Sequence, residues 1–554
     1  MIRALAVCLA AALVLAGGAQ APARAEERLP AVGEVIHGFA VREVCSYEPL
    51  HSQTVLFEHE RTGAEVLYVA NGTENRLFAL TFRTRPVDDA GAPDVTRRMI
   101  GAGLQAAAGT ESYPDILLTN RMTSYQLTSR SQDYYSKETD LTEEQLLAMA
   151  AQMVAGCLRP SGLDDEAMFR EAVGGKTETN DILTLVIPGL TEGFTNPSVP
   201  GNALAFECAA KLNACRAAFP GASVGLDEMG GADAPADLTL DGLNTWYQRY
   251  YQPSNSLSVL FGRFDQYSAF LRMLDDAFAP FDRREPFPED AAYTPIDEPV
   301  MARYGFPTAR GTVMKVDWLT APLSSLVSHT YSSNTLFADP DSDIVLPTVG
   351  NGVIGLWTQT APEAPAGQAI ISYTIVCPGL RDDAQEEWLT QKAIYLLCDY
   401  DARLEQHREE RFPEKPFICY VDRDCPETAV VFMVANASED EAEDFRDMID
   451  RTVRDVVSSG FQRDQDASWM DSESVDVDIM MDYMGHLLLD RLTATYAAGR
   501  DMRQVMQLQA DSLANPAAVL APGDDAERCL ACLEKWLSDS RTTALTVTVT
   551  QPEE

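Results

Sequence analysis

Between residues 53 and 84 the chain alternates apolar and polar side chains in three short runs, 54–59, 65–70 and 76–82. The gaps between the runs hold Thr62-Gly63 and Asn71-Gly72. A period of two broken by such turn residues is the pattern of antiparallel strands, because tight hairpins need the positive φ that glycine and asparagine tolerate. A helix would scatter the same apolar residues around its circumference. The stretch therefore predicts an antiparallel meander, and a helix is expected from 94 to about 108, with Asp94 near its N-cap.

The rest of the chain extends this pattern. Helices are expected at 142–157 and 166–173, and a strand at 257–261 follows Tyr250-Tyr251-Gln252-Pro253-Ser254-Asn255-Ser256, where proline and asparagine end a helix and turn the chain. A connector rich in proline and acid, Arg284-Glu285-Pro286-Phe287-Pro288-Glu289-Asp290, marks a boundary. Beyond it, strands are expected near 313–319, 369–376, 417–421, 429–434 and 544–550, with helices over 384–406, 439–459 and 475–498. A chain of 554 residues can hold more than one core. The reading is a segment 1–25, a first domain 28–283, a linker 284–298 and a second domain 299–554, both domains α+β.

The segment 1–25 reads as an export signal. Arg3 precedes an apolar run from 4 to 16, and Ala23-Arg24-Ala25 offers small residues for cleavage before Glu26. That run is too short to span a bilayer, so no membrane anchor is expected, and the mature chain should be secreted, periplasmic or at the cell surface. The formal charge of −41 becomes more negative when Arg3 and Arg24 leave. Nucleic acid and anionic lipid would be repelled, whereas a cationic ligand would not; the acidity also serves simply to keep an exported protein dispersed. Of the 11 cysteines, Cys8 lies in the leader. The even remainder suits disulfides in an oxidising setting, and Cys419 and Cys425, flanking a hairpin turn, could bridge its strands. Cys529 and Cys532 form a C-x-x-C in a helix, without the preceding strand a thioredoxin-like redox role needs.

Several motifs resemble one family. The stretch Arg83-Thr84-Arg85-Pro86-Val87-Asp88-Asp89-Ala90-Gly91-Ala92 is similar to a segment of the presequence-protease branch of the insulinase-like (pitrilysin) metallopeptidases, where it runs into H-x-x-E-H. Gly33-Glu34-Val35-Ile36-His37-Gly38-Phe39, Leu56-Phe57-Glu58-His59-Glu60-Arg61-Thr62-Gly63, Thr128-Ser129-Arg130-Ser131-Gln132-Asp133-Tyr134-Tyr135 and the Tyr250-to-Ser256 stretch resemble further motifs of that branch, in the same order. The resemblance is good over 33–281 and loose beyond. It implies two domains, each a mainly antiparallel sheet covered by helices, together half of a clam-shaped peptidase.

In that motif two histidines on one helix face hold zinc, and a glutamate deprotonates the attacking water. The corresponding positions here are Asp94, Arg97 and Arg98, and the alignment puts Gly189 where the family has its third ligand, a glutamate. A guanidinium has no lone pair for a metal and cannot serve as a base. Asp94 and Arg98, one turn apart, could form an ion pair worth about 0.3–0.5 kcal/mol if exposed. A protein cation would then stand where the metal stood, although an ordinary charged helix start reads the same way. His37 and His59 are isolated and read as structural.

The resemblance implies that Thr128, Ser129, Arg130, Ser131 and Gln132 begin an edge strand on which a peptide backbone is laid, with Tyr125 in the place of a substrate-contacting asparagine. The expectation is an inactive pseudopeptidase without zinc, binding a peptide or a protein partner, the latter including a second metallopeptidase-like chain. The alternatives are an active zinc endopeptidase drawing ligands from Glu192, Glu207 or His59, and a scaffold with no peptide ligand.

Overall fold

The computed structural model describes residues 28–84, 92–108, 115–118, 122–130, 140–174 except 161, 214–219 except 216, 238–284, 313–317, 337–338, 345–346 and 369–549, the last with gaps at 399–402, 414, 416, 423–426, 462–476, 515–524 and 539–541. The leader 1–25, Gly189, Glu192, Glu207, Ser131, Gln132 and Cys425 lie outside the described residues.

The first sheet is built from β1 (Val35–Ile36), β2 (Phe39–Tyr47), β3 (Ser52–His59), β4 (Glu65–Ala70), β5 (Leu77–Arg83), β6 (Asp115–Leu118), β7 (Met122–Thr128) and β8 (Ser256–Phe261). The three predicted runs are all strands, but they do not form a simple meander. The order is β1-β2-β3-β4-β8-β5-β7-β6, so β8 separates β4 from β5, parallel to the first and antiparallel to the second. Every residue of β8 is buried, as a central strand covered on both faces requires. Its exit runs against the β4–β5 connection: Gly262 has φ +113°, and a Cβ there would sit 2.7 Å from the Asn75 carbonyl oxygen.

One face of this sheet packs on α1 (Ala92–Ala108), α2 (Glu143–Leu158), α3 (Glu166–Gly174), α4 (Leu240–Tyr250) and α5 (Tyr267–Phe278). Alternation sorts the strands. Phe78, Leu80 and Phe82 of β5 point to Val95, Met99, Leu146 and Trp246, while Leu77 and Ala79 point the other way. Helix α2 begins with a capping box, Thr142 and Gln145 each satisfying the other's backbone N–H.

The second sheet comprises β9 (Val313–Asp317), β12 (Ala369–Cys377), β13 (Phe417–Asp422), β14 (Thr428–Ala437) and β15 (Thr542–Val549); β10 (Phe337–Ala338) and β11 (Val345–Leu346) form a separate pair. Its order is β13-β14-β12-β15-β9, antiparallel except for β15 against β9. Helices α6 (Ala384–Leu397), α7 (Arg403–Arg411) and α8 (Ala442–Ser459) follow in sequence; the pattern read as one helix over 384–406 is divided between α6 and α7. After α9 (Val477–Ala497) and α10 (Met502–Ala514), helix α11 (Ala526–Leu533) joins the second core with Cys529, Cys532 and Leu533. The fold is α+β with antiparallel-rich sheets.

Among the described residues, none of α9 or α10 belongs to the second core. Met481, Leu488, Leu489, Leu492, Tyr496, Met506 and Ala510 cover the other face of the first sheet, on Leu67, Val69, Leu77, Ala79, Leu257, Val259 and Phe261. Gly485 lets α9 approach: a Cβ there would lie 2.8 Å from Phe261 Cε1. Among the described residues no helix is long and apolar enough to cross a membrane.

Candidate functional site

Asp94 sits in the first turn of α1, where the helix dipole favours a negative charge. It is 2% exposed. Arg97 Nη2 and Nε lie 2.8 and 3.1 Å from Asp94 Oδ1, and Arg98 Nε lies 2.8 Å from Oδ2. The expected pair between Asp94 and Arg98 is present, but two things differ from the exposed case. Arg97 joins it, and the cluster is largely buried, the two arginine side chains retaining 13% and 17% exposure. The exposed-helix magnitude therefore does not apply: removing one member of a buried ion cluster leaves uncompensated charge and costs several kcal/mol.

Beneath α1, the hydroxyls of Tyr125 on β7 and Tyr251 after α4 are 2.9 Å apart. Tyr251 stacks on Phe82 with ring centroids 4.5 Å apart and on Tyr247 at 4.9 Å. Burial pushes the Tyr251 phenol well above its ordinary value, partly offset by hydrogen bonds to Tyr125 and Thr123 and by the nearby charge of Arg97. Tyr247 donates to the Cys157 carbonyl at 2.6 Å, and Asn255 Nδ2 donates to the carbonyls of Arg83 and Tyr250, both at 2.8 Å. The Tyr250-to-Ser256 stretch thus acts as scaffold under the site, as its turn chemistry suggested. Sequence reasoning named Tyr125 at the site and Tyr251 only within the helix-ending motif; their contact links residues far apart in the chain and leaves no local signal.

The chemistry follows from the donor set. Two guanidinium groups face one carboxylate, so the cluster carries net positive charge at every relevant pH. Burial holds the adjoining Tyr251 phenol neutral. These residues do not fit zinc: no imidazole or thiolate is among them, and the single carboxylate already accepts hydrogen bonds from Arg97 and forms an ion pair with Arg98. Among the described residues no three side chains of His, Cys, Asp and Glu converge to hold a metal. His59 is buried, its Nδ1 2.8 Å from Thr62 Oγ1 and its Nε2 3.0 Å from Asp275 Oδ1, which fits the structural reading.

Of the expected edge-strand residues, Thr128, Ser129 and Arg130 are among those described, and Ser131 and Gln132 are not. Strand β7 ends at Thr128 and lies inside the sheet, with β5 on one side and β6 on the other. Strand β6 pairs with Thr123 to Gln126, Asp115 facing Gln126 and Leu118 facing Thr123. The backbone groups an edge would offer along those four residues are satisfied within the chain. Thr128 Oγ1 donates to Asn75 Oδ1 at 3.0 Å. Ser129 exchanges bonds with Arg76: its N–H donates to the Arg76 carbonyl, and its Oγ accepts from the Arg76 N–H, both at 2.8 Å. Arg130 pairs with Asp482 of α9. All three tie β7 to its neighbours. In the second sheet Cys419 is a buried free thiol.

No family model matches the chain. It is 25% identical over 274 residues to the mitochondrial presequence protease of Danio rerio, a match covering 49% of this chain and 26% of that protein. To the mitochondrial presequence protease of Mus musculus it is 23% identical over 337 residues, 58% of this chain and 32% of that one. The matches thus span about a quarter to a third of the relatives' length. A solved structure described as a peptidase M16 inactive domain, from Pseudomonas fluorescens, is 12% identical with a TM-score of 0.48, covering 90% of this chain and 98% of that one. The chain is related to the insulinase-like (pitrilysin) metallopeptidases, through presequence proteases, over about half of its own length.

Proposed function

We propose that the chain is a catalytically inactive, exported relative of the insulinase-like metallopeptidases that works by binding another polypeptide. The observation that carries this reading is the Asp94 carboxylate held by Arg97 and Arg98 where the family resemblance puts two zinc ligands and the base. Protonated guanidiniums supply neither metal coordination nor proton abstraction at that place. Export is supported by the apolar run and small-residue site ahead of Glu26.

A folded protein partner, such as a second metallopeptidase-like chain, is favoured over an extended peptide laid on β7, because β6 already takes the backbone groups of Thr123 to Gln126. Peptides added to a sheet gain most of their affinity from those main-chain bonds.

The test is the zinc content of the purified chain after zinc loading and dialysis. The expected result is less than a tenth of an equivalent, roughly the background of adventitious binding. Stoichiometric zinc that disappears on substituting Glu192, Glu207 or His59 overturns the proposal in favour of an active metallopeptidase.

A further inference from the structure

The first sheet ends on one side in β1, which pairs with β2 only through Val35 and Ile36, opposite Ala40 and Phe39. Next to them Val41 also turns outward, its N–H donating to the Glu34 carbonyl at 2.9 Å and its carbonyl accepting from the Gly33 N–H at 3.0 Å. After a register shift between Val41 and Glu43, β2 runs on to Tyr47 with β3 on its inner side and, among the described residues, no strand on its outer side. Arg42, Glu43, Val44, Cys45 and Ser46 all keep some exposure. In an antiparallel pair every second residue aims its N–H and C=O away from its partner, so this stretch offers main-chain groups at a sheet edge.

Both faces of that edge are furnished. On one, Cys45 packs with Met502 and Val505 of α10, and Arg503 Nη1 lies 3.2 Å from Glu43 Oε2. On the other, at the end of β2, a cleft of about 450 Å³ opens beside Ser46, with Leu29, Tyr68 and Phe264 among its walls. Tyr68 meets Phe264 edge-on, ring centroids 5.9 Å apart. A volume of that order, with aromatic walls, suits a single aromatic residue. Glu48 also lines the cleft; it is exposed and forms no ion pair among the described residues. Arg263 and His51, on the same cleft, have partners of their own within the chain. The arginines along the edge are matched by carboxylates: Arg28 by Glu34, Arg42 by Glu58 and Arg503 by Glu43 and Asp501. With a formal charge of −41 on the whole chain, the field at this edge favours a basic segment.

We propose that an extended segment of a partner polypeptide adds to the sheet along β2 from Glu43 to Tyr47, with an aromatic side chain in the cleft and a neighbouring basic residue at Glu48. The inference rests on the reading above that the chain works by binding another polypeptide. It puts the contact at the opposite end of the sheet from β7 and β6, whose facing main-chain groups already bond each other. The added main chain supplies affinity through bonds to β2. Its side chains fall alternately on the two faces, one row toward the cleft and the other toward α10, which gives the site a preference for sequence.

The probe is the blocked pentapeptide N-acetyl-lysyl-valyl-phenylalanyl-valyl-lysine amide, added to the purified full-length chain. Hydrogen exchange read by mass spectrometry should slow over 43–47 and stay unchanged over 123–126, with a Kd on the order of 0.1 mM. Two further probes carry N-methyl groups on alternate residues. Only one set of amides can face β2, so one probe should bind like the parent and the other at least about tenfold more weakly. Glycine in place of the phenylalanine should weaken binding about tenfold, as should Ser46→Trp, which fills the cleft; Glu48→Gln should weaken it about threefold and reduce its salt dependence. Equal binding of the two methylated probes, protection over 123–126 in place of 43–47, or no binding below about 1 mM overturns the proposal, and none of these three results needs a substituted chain. The probe is then recovered and weighed. Cleavage, like stoichiometric zinc, overturns the inactive reading alone, whereas lack of protection over 43–47 overturns this proposal alone.

Discussion

The two faces of the first sheet are covered by different means. On one face, helices α1 to α5 come from the same part of the chain as the strands; Asp94 pairs with Arg97 and Arg98 within α1, while Tyr251 reaches Tyr125 of β7 and Asp275 of α5 reaches His59 of β3. On the other, α9 and α10 arrive from several hundred residues away, and their polar contacts cross to the sheet: Asp482 with Arg130, Asp490 with Gln126 at 2.8 Å, and the Arg83 guanidinium 4.1 Å from the Tyr496 ring centroid. The first face is a closed unit with a charged plug. The second is a joint between distant segments, and its strength depends on how well α9 seats.

Asp94→Ala should separate the two faces most sharply. It leaves Arg97 and Arg98 close together, largely buried and without their carboxylate, and should destabilise the chain by about 2–4 kcal/mol in denaturant unfolding. Replacing all three residues together with apolar ones of similar volume should recover most of that loss, because the desolvation cost leaves with the charges. A single substitution that costs less than about 0.5 kcal/mol would mean the cluster behaves like an exposed pair and does not plug the site.

The joint has its own weak point at Gly485. An alanine there must place Cβ 2.8 Å from Phe261 Cε1, so α9 must lift or the ring must shift. The better helix propensity of alanine offsets about 1 kcal/mol, leaving an expected net loss of about 1–2 kcal/mol. Hydrogen exchange should accelerate in α9 and leave α1 unchanged. Faster exchange in both helices would show that the two faces open together.

The same division explains what could be read from the residues. The strands at 54–59, 65–70 and 76–82 were visible because alternation and turn residues are local, and so was helix α1, although it begins at Ala92 and holds Asp94 inside its first turn. The insertion of β8 between β4 and β5 was not, since nothing in Asn71-Gly72 distinguishes a hairpin from a longer excursion. At the site, spacing gave Asp94 with Arg98, but the burial that makes the pair consequential depends on how α1 packs on the sheet. Thr128, Ser129 and Arg130 read as the start of an edge strand; their contacts with Asn75, Arg76 and Asp482 join residues far apart in the chain and leave no local signal. Helix α9 was legible as a helix; which sheet it covers is a property of the whole chain.

The smallest expected effect tests the joint through pH. His486 lies on α9, and burial pushes its imidazole down to about 4 although part of the residue remains exposed. A depressed folded value means that the unfolded chain binds the proton more readily. The contribution to stability is therefore fully present above about 6.5 and is lost as pH falls towards 4. Burial acts oppositely on the Asp482 carboxyl on the same helix: its raised value makes protonation in the folded state easier and partly offsets the loss. Discounted for the exposure of the ring, the net loss attributable to His486 at pH 5 should be roughly 1 kcal/mol. His486→Gln, uncharged throughout, should flatten that part of the pH–stability curve and leave the cost of Asp94→Ala unchanged. A variant whose acid sensitivity matches the parent's would place the titrating group elsewhere and leave α9 held by packing alone.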